Sequence, residues 1–352
     1  MQARTVFFIA ALVGAASPAL AGGFVYVPTG GANQVLVIDA ATDKVVGRLP
    51  GVKDSHGLAG TADGRLLVAG SITEAEAGDR TPPPKPKGMS EGAHRVHHPA
   101  KSADAGAEPK SVSYLSVIRT ADMSVTRRVE VPGAVHHTLI TPDGRFAVAT
   151  LLSEDGISVV DLNGFEVLPT VRTGSTPNYA VASPDSRRVY VSNSGDNTVS
   201  EIDTENWAVR KTIAVGETPG HMAMSPDGKT LYVNNADAGT VSAISVERGA
   251  VVNTYRVGGG LHGIDVSDDG KTLFVAGWED GKLVAIDVAG GGMRSASLAP
   301  SPYHLAAIRG AGKLYVSSAG ENKIWVVDQK SLRVRGEIPV PGRAHQMVVA
   351  TD

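Results

Sequence analysis

One turn returns along the chain at a fixed interval, and that interval restricts the fold more than any other feature of the sequence. Thr61-Ala62-Asp63-Gly64 recurs as Thr141-Pro142-Asp143-Gly144, Ser183-Pro184-Asp185-Ser186, Ser225-Pro226-Asp227-Gly228 and Ser267-Asp268-Asp269-Gly270. Asp143, Asp185, Asp227 and Asp269 are each 42 residues apart; another 42 reaches Ala311, and 41 more reaches Asp352. From Asp63 to Asp143 the separation is 80, one period plus an insertion of 38. Seven units result. Within each, short apolar runs alternate with turn residues, and no helix-length amphipathic segment intervenes. In residues 220–257 the runs are Met222-Ala223-Met224, Leu231-Tyr232-Val233, Val241 to Ile244 and Val251 to Val257. Four strands per unit, repeated seven times, predict an all-β fold, the seven-bladed β-propeller.

The ends fit the same scheme. Residues 23–50 supply only the second, third and fourth strands of a blade, and His345 to Thr351 at the C-terminus supplies the missing first strand. The ring is therefore expected to close by joining both ends in one blade, which leaves few open sheet edges. Fourth strands carry charge, as in Thr126-Arg127-Arg128-Val129 and Val209-Arg210-Lys211-Thr212, which suits an outer edge. Ahead of the repeats, Arg4 precedes an apolar run from Val6 to Ala16 and a small-residue ending at Ala19-Leu20-Ala21. This reads as a signal peptide over 1–21 with the propeller over 22–352, and hence as a periplasmic protein. The run is shorter than the roughly 20 residues a membrane span needs, so no membrane span is expected. A net charge of −3 argues against nucleic acid as a partner. The 352 residues include no Cys, which excludes disulfides, thiolate metal sites and cysteine nucleophiles.

Three tetrapeptides share one place in the repeat: Tyr190-Val191-Ser192-Asn193, Tyr232-Val233-Asn234-Asn235 and Tyr315-Val316-Ser317-Ser318. Related patterns stand at Tyr26-Val27-Pro28-Thr29 and Phe274-Val275-Ala276-Gly277. They resemble the YVTN repeat family of β-propellers. That resemblance implies the fold across nearly all of 23–352 and leaves the function open, because the family includes binding proteins, surface-layer proteins and cytochrome-d1-like domains.

The ten histidines carry the functional information. Counted from the anchor position of each repeat, His56, His136, His262, His304 and His345 stand seven residues before it, and His137 and His221 six before it. That register opens the first, innermost strand, at one mouth of the central channel. Blade four has Asn178 and Tyr179 there. The insertion, residues 72–111, falls in the loop between strands two and three of blade two, on the same face, and contains His94, His97 and His98. Its run Thr81-Pro82-Pro83-Pro84-Lys85-Pro86-Lys87 predicts a mobile segment, either a lid or metal-transfer arm or a plain loop. Trp278 and Tyr179 are candidate pocket walls on that face.

Two readings of the His register compete. WD40 propellers use a His near this point to tie strands by hydrogen bonds, and the loop acids Asp155, Asp196, Asp237 and Asp280 offer acceptors. The doublet His136-His137 and the three loop His favour a metal instead. An all-imidazole site without thiolate suits copper or zinc, with copper heading the affinity order, and the loop acids would then orient the rings. The His ring also resembles copper-bearing propellers and periplasmic zinc metallochaperones of propeller fold, which implies a copper oxidoreductase or a carrier that delivers zinc or copper to a periplasmic protein partner. A tetrapyrrole-binding or protein-binding scaffold without metal stays open. No Walker loop, haem-attachment motif or Gly-x-Ser-x-Gly elbow is present.

Overall fold

The computed structural model describes residues 23–76 and 111–350; the proposed signal peptide and the loop histidines His94, His97 and His98 lie outside them. Seven antiparallel sheets are arranged around one axis, and in all but the closing blade the strands run from inner to outer in chain order. The inner strands are 55–60, 135–140, 177–182, 219–224, 261–266 and 302–308, followed by 348–350. In the closing blade, Tyr26, Val25 and Phe24 pair with Val348, Val349 and Ala350, so the two ends of the chain share a sheet as expected. This strand is shorter than the sequence pattern implies. His345 N still donates to Pro28 O at 3.1 Å, beside the Thr29–Ala344 bridge, but Gln346 and Met347 leave the ladder, and the side chain of Gln346 instead bonds Leu58 N and the backbone of Thr138. The outermost strand of blade three is split into 166–167 and 171–172, both paired with 156–161.

The recurring turn has a local cause. In each copy the anchor Asp accepts a hydrogen bond from the Ser or Thr hydroxyl two residues earlier, at 2.6–2.7 Å, and another from the backbone N–H two residues later. The hydroxyl bond holds the carboxyls of Asp63, Asp185, Asp227 and Asp269 below their ordinary pKa. The turn is thus closed by its own side chains, and neighbouring blades add to it in places, as where Asp143 N donates to Ser186 Oγ at 2.9 Å.

The tetrapeptides explain themselves in the same way. Their first residue, as Tyr190, Tyr232 or Tyr315, fills the space between blades and is among the most buried side chains. The third supports the entry to the inner strand: Ser192 Oγ accepts from Tyr179 N and donates to Gly220 O of the next blade, at 3.1 and 2.7 Å. The fourth ties the loop between strands two and three, Asn193 and Asn235 each donating to a Thr and a Ser hydroxyl. One hydrophobic cluster lies between each pair of adjacent blades, so the core is a ring of seven wedges rather than a single centre. Among the described residues no helix is long and apolar enough to cross a membrane.

Candidate metal centre

In six blades the pairing of the inner strand with its neighbour slips at the histidine register: between Ser55 and Gly57, Pro177 and Ala180, Pro219 and Met222, Leu261 and Ile264, Pro302 and Leu305, and opposite Ala149 and Leu151. A bulge sets an extra residue against the partner strand, breaks the ladder locally and re-aims side chains. Here it gathers side chains from two adjacent registers at the axis, which is how His136 and His137 both join the cluster. The lost ladder bonds are replaced by strand-two hydroxyls, with His137 N donating to Thr150 Oγ1 at 3.0 Å and His304 N to Ser317 Oγ at 3.1 Å.

The bulges, together with the closing segment that carries His345, bring all seven channel histidines into one cluster. Ring centroids are 4.2 Å apart for His56 and His345, His136 and His137, and His221 and His262, and 4.7–4.9 Å for His56 and His136, His137 and His221, and His262 and His304. The sequence pattern suggests a ring around an open mouth; the structure fills the channel with imidazole. His56, His137, His221 and His304 are buried, His137 to 1% exposure, while His136, His262 and His345 are partly exposed. Two triads place one ligand atom from each residue within 4.8 Å of the others: His56, His137 and His304, and His221, His262 and His304. His304 belongs to both.

The hydrogen bonding of these rings bears on the two roles offered for them. Nε2 of His56, His137, His221, His262 and His304, and Nδ1 of His345, are buried and have no partner. A ring kept for strand ties would have its nitrogens satisfied, since an unpaired buried polar atom costs about 1–3 kcal/mol. The Asn178 carbonyl lies 2.9 Å from Nδ1 of His137 and 3.1 Å from Nδ1 of His136. An Nδ1–H donated to that carbonyl leaves the Nε2 lone pair of His137 free, the arrangement a metal ligand needs.

The loop acids do not provide the expected orientation of the rings. Among the described residues Asp155 accepts from Thr176 N, Asp196 from Ser175 N and Asp237 from the Thr218 hydroxyl, while Asp280 pairs with Lys282 at 2.6 Å. The first three are clasps, holding the loop between strands two and three to a chain segment that enters an inner strand, whereas Asp280 pairs within its own blade. Tyr179 does join the cluster, its ring 4.7 Å from His137 and 4.6 Å from His221. Burial pushes its hydroxyl pKa up to about 12. Trp278, 40% exposed, lines an open cavity of about 470 Å³ beside His262, together with Tyr303 and Arg343. Trp207 packs on Phe146 and Trp325 is buried in its blade, so both are structural.

Two residues not singled out from the sequence take part. Tyr303 stacks on His262 at 3.8 Å with the planes 9° apart. Gln346 closes the channel beneath the rings and donates to the Tyr179 hydroxyl at 3.4 Å. Its position was legible: it stands six residues before Asp352, the register of His137, Tyr179 and His221. Tyr303 falls in neither register, and the sequence holds no signal for it.

Electrostatically the cluster is neutral and resists protonation. Burial lowers the pKa of His56, His137, His221, His262 and His304 well below 6.5, and the neighbouring imidazoles add to the shift. Burial and then the Arg343 charge bring His345 to about 4. At neutral pH the rings are free bases with lone pairs available.

Gly57 and Gly263 stand at the same register as His137 and leave room for it to be occupied elsewhere. A Cβ on Gly57 would lie 2.7 Å from Thr138 N and 2.8 Å from His137 Cα, backbone atoms that cannot step aside. Gly57→Ala is therefore expected to destabilise the fold by about 1–3 kcal/mol. Urea unfolding measures it; an unchanged midpoint would show that the inner strands can separate at no cost.

The family model for the YNCE-like beta-propeller matches residues 173–248. This stretch takes in blade four and most of blade five, and the repeat resemblance drawn from Tyr190 and Tyr232 is borne out there. No curated protein matches the chain by sequence. Many solved structures share the fold, among them the following three. Periplasmic gluconolactonase PpgL of Pseudomonas aeruginosa is 19% identical, with a TM-score of 0.67 over 94% of this chain and 99% of that one. Hydrazine synthase of Kuenenia stuttgartiensis is 15% identical, with a TM-score of 0.68 over 89% and 94%. The dihydro-heme d1 dehydrogenase NirN, in complex with DHE, is 14% identical, with a TM-score of 0.64 over 91% of this chain and 64% of that one. At such identities the likeness is one of architecture.

Proposed function

We propose that this chain is an exported, periplasmic β-propeller that holds a transition-metal ion, copper in preference to zinc, within its histidine-filled channel. The observation that carries this reading is the set of five buried, unpartnered Nε2 atoms contributed by five inner-strand histidines. Neutral imidazoles without thiolate suit copper and zinc, and copper binds more tightly across such donor sets. Charge favours copper further. The two triads consist of histidine alone, and the exposed Arg343 adds positive charge at the mouth. A buried ion without a counter-charge is penalised steeply as its charge rises, so the singly charged Cu(I) is better tolerated than Zn(II).

The cavity beside His262 offers a small molecule a route to the cluster, which suits a copper oxidoreductase. The alternative of a carrier for copper or zinc rests on His94, His97 and His98. The tetrapyrrole alternative fits less well, because the rings occupy the axis where such a ligand would sit.

Elemental analysis of the untagged protein purified from periplasm tests the reading, beside a variant with His136, His221, His262 and His304 changed to Ala. Copper near a whole-number ratio in the parent, lost in the variant, is the expected result. Zinc in its place would correct the metal. No metal in the parent, and no uptake when Cu(I), Cu(II) or Zn(II) is supplied, would overturn the proposal.

A further inference from the structure

The turn between strands three and four ends in every blade at a residue of positive φ: Asp43, Met123, Phe165, Trp207, Gly249, Gly291 and Leu332, with φ between 49° and 70°. They share one place, four residues after the end of strand three. Most of them plug the groove to the preceding blade. Met123, Phe165 and Leu332 pack into the clusters between blades, and Trp207 lies across Phe146 at 5.1 Å. Asp43 plugs its groove with charge instead: its carboxylate accepts from the Lys313 ammonium and the Tyr315 hydroxyl, the first and third residues of strand two in the blade before it.

Blade four carries the matching pair, Arg188 and Tyr190, at the first and third positions of its own strand two. The plug position facing them is Gly249, which has no side chain to offer. The Tyr190 hydroxyl is left buried and without a partner in a residue only 1% exposed. A cavity of about 660 Å³ stands at this place, lined by Arg188, Tyr190, Arg210, Lys211 and Gly249. Carboxylates of the chain are present too. Glu201 accepts from Arg188 at 3.1 Å and lies 3.5 Å from Arg210, Asp203 takes a second Arg188 nitrogen at 3.3 Å, and Asp185 and Asp227 close their own turns. Glu247 also lines the cavity and is exposed. Among the described residues the Lys211 ammonium is held by the Arg248 carbonyl alone, at 3.0 Å, and stands beside the vacant Cβ position of Gly249. The other glycine in the series, Gly291, faces Thr230 and Tyr232, a pair without a cation whose hydroxyls bond one another.

We infer that the groove between blades four and five, at the opposite end of the propeller from the histidines, binds a carboxylate in the place that Asp43 fills at the ring closure. The Tyr190 hydroxyl and the Arg and Lys donors would hold it by charge-assisted hydrogen bonds. The carboxylate belongs either to a small dicarboxylic acid or to an acidic side chain of a partner protein, and the two sources are separable.

The test uses the full-length chain without metal, so that it stands apart from the histidine cluster. Succinate and a hexaglutamate peptide are titrated at constant ionic strength against chloride, with thermal unfolding and protein NMR shifts as readouts. A saturable response is expected. Response to succinate at lower concentration marks a free acid as the source; a much tighter response to the peptide marks a protein side chain. Gly249→Asp supplies the carboxylate within the chain, at a φ of 56° that Asp43 already adopts at 57°, and the three atoms nearest its Cβ all belong to the movable end of Lys211. This variant is expected to unfold at higher temperature and to lose the response. Tyr190→Phe is expected to bind about tenfold more weakly, and it decides the matter should Gly249→Asp not fold. No response in the parent, or a response undiminished in these variants, would overturn the inference.

Discussion

Changing His304 to Ala is expected to weaken metal binding by about a hundredfold or more, the largest effect of any single substitution in the channel. His304 is the one residue common to both histidine triads, and its Nε2 is among the buried atoms without a partner. Loss of outer partners alone typically costs 10–100-fold in metal affinity, so loss of a direct ligand sets a higher floor. Trp278→Ala, which alters only the wall of the cavity beside His262, is expected to stay within about threefold of the parent, since an exposed residue that donates no ligand atom moves affinity little. Competition with a chelator of known affinity measures both. Equal affinity of His304→Ala and the parent would remove the cluster as the binding site, whatever metal the protein carries.

The second large effect is on acid stability of the metal-free protein. Histidines with folded pKa values below the unfolded value of 6.5 refuse protons that the unfolded chain accepts, so between the two values unfolding takes up protons and stability rises with pH. His345, at about 4, brackets the window, and the five more deeply buried rings are displaced in the same direction. Their stabilisation is complete above pH 6.5 and is lost as pH falls toward 4. One pKa difference of a unit corresponds to about 1.4 kcal/mol, so several such groups together are expected to lower the melting temperature by about 10 °C between pH 7 and pH 5. Calorimetry in buffers of different ionisation enthalpy checks the proton uptake directly. A melting temperature flat from pH 7 to 4.5 would show that the rings are solvated in the folded chain. Bound metal is expected to oppose the loss until the ligands protonate.

The architecture was legible because its determinants are local. The anchor Asp, its hydroxyl partner two residues earlier and the Asn that ends the strand-two tetrapeptide build these bonds within a few residues, so they recur as words along the chain. The histidine register was legible for the same reason, being counted from that anchor. Gln346 stands in that register as well, although only its contacts reveal why it matters. The role of the loop acids was not legible. Asp155, Asp196 and Asp237 lie on the face that the pattern assigns, but the backbone and hydroxyl groups of the entering segment reach them before any imidazole does.

What the sequence determined by itself is a ring of seven like units with histidine at one recurring place. Tertiary structure decided what those histidines become. His56 and His345 are 289 residues apart in the chain and 4.2 Å apart between ring centroids, a contact that exists only because the last strand closes the first blade. The bulge that gathers the rings at the axis depends on the hydroxyl support of strand two, and the missing partners of the Nε2 atoms depend on all the blades meeting there. A repeat fixes each unit from within, whereas burial and unpaired lone pairs at the axis are properties of the closed ring, and no single unit contains them.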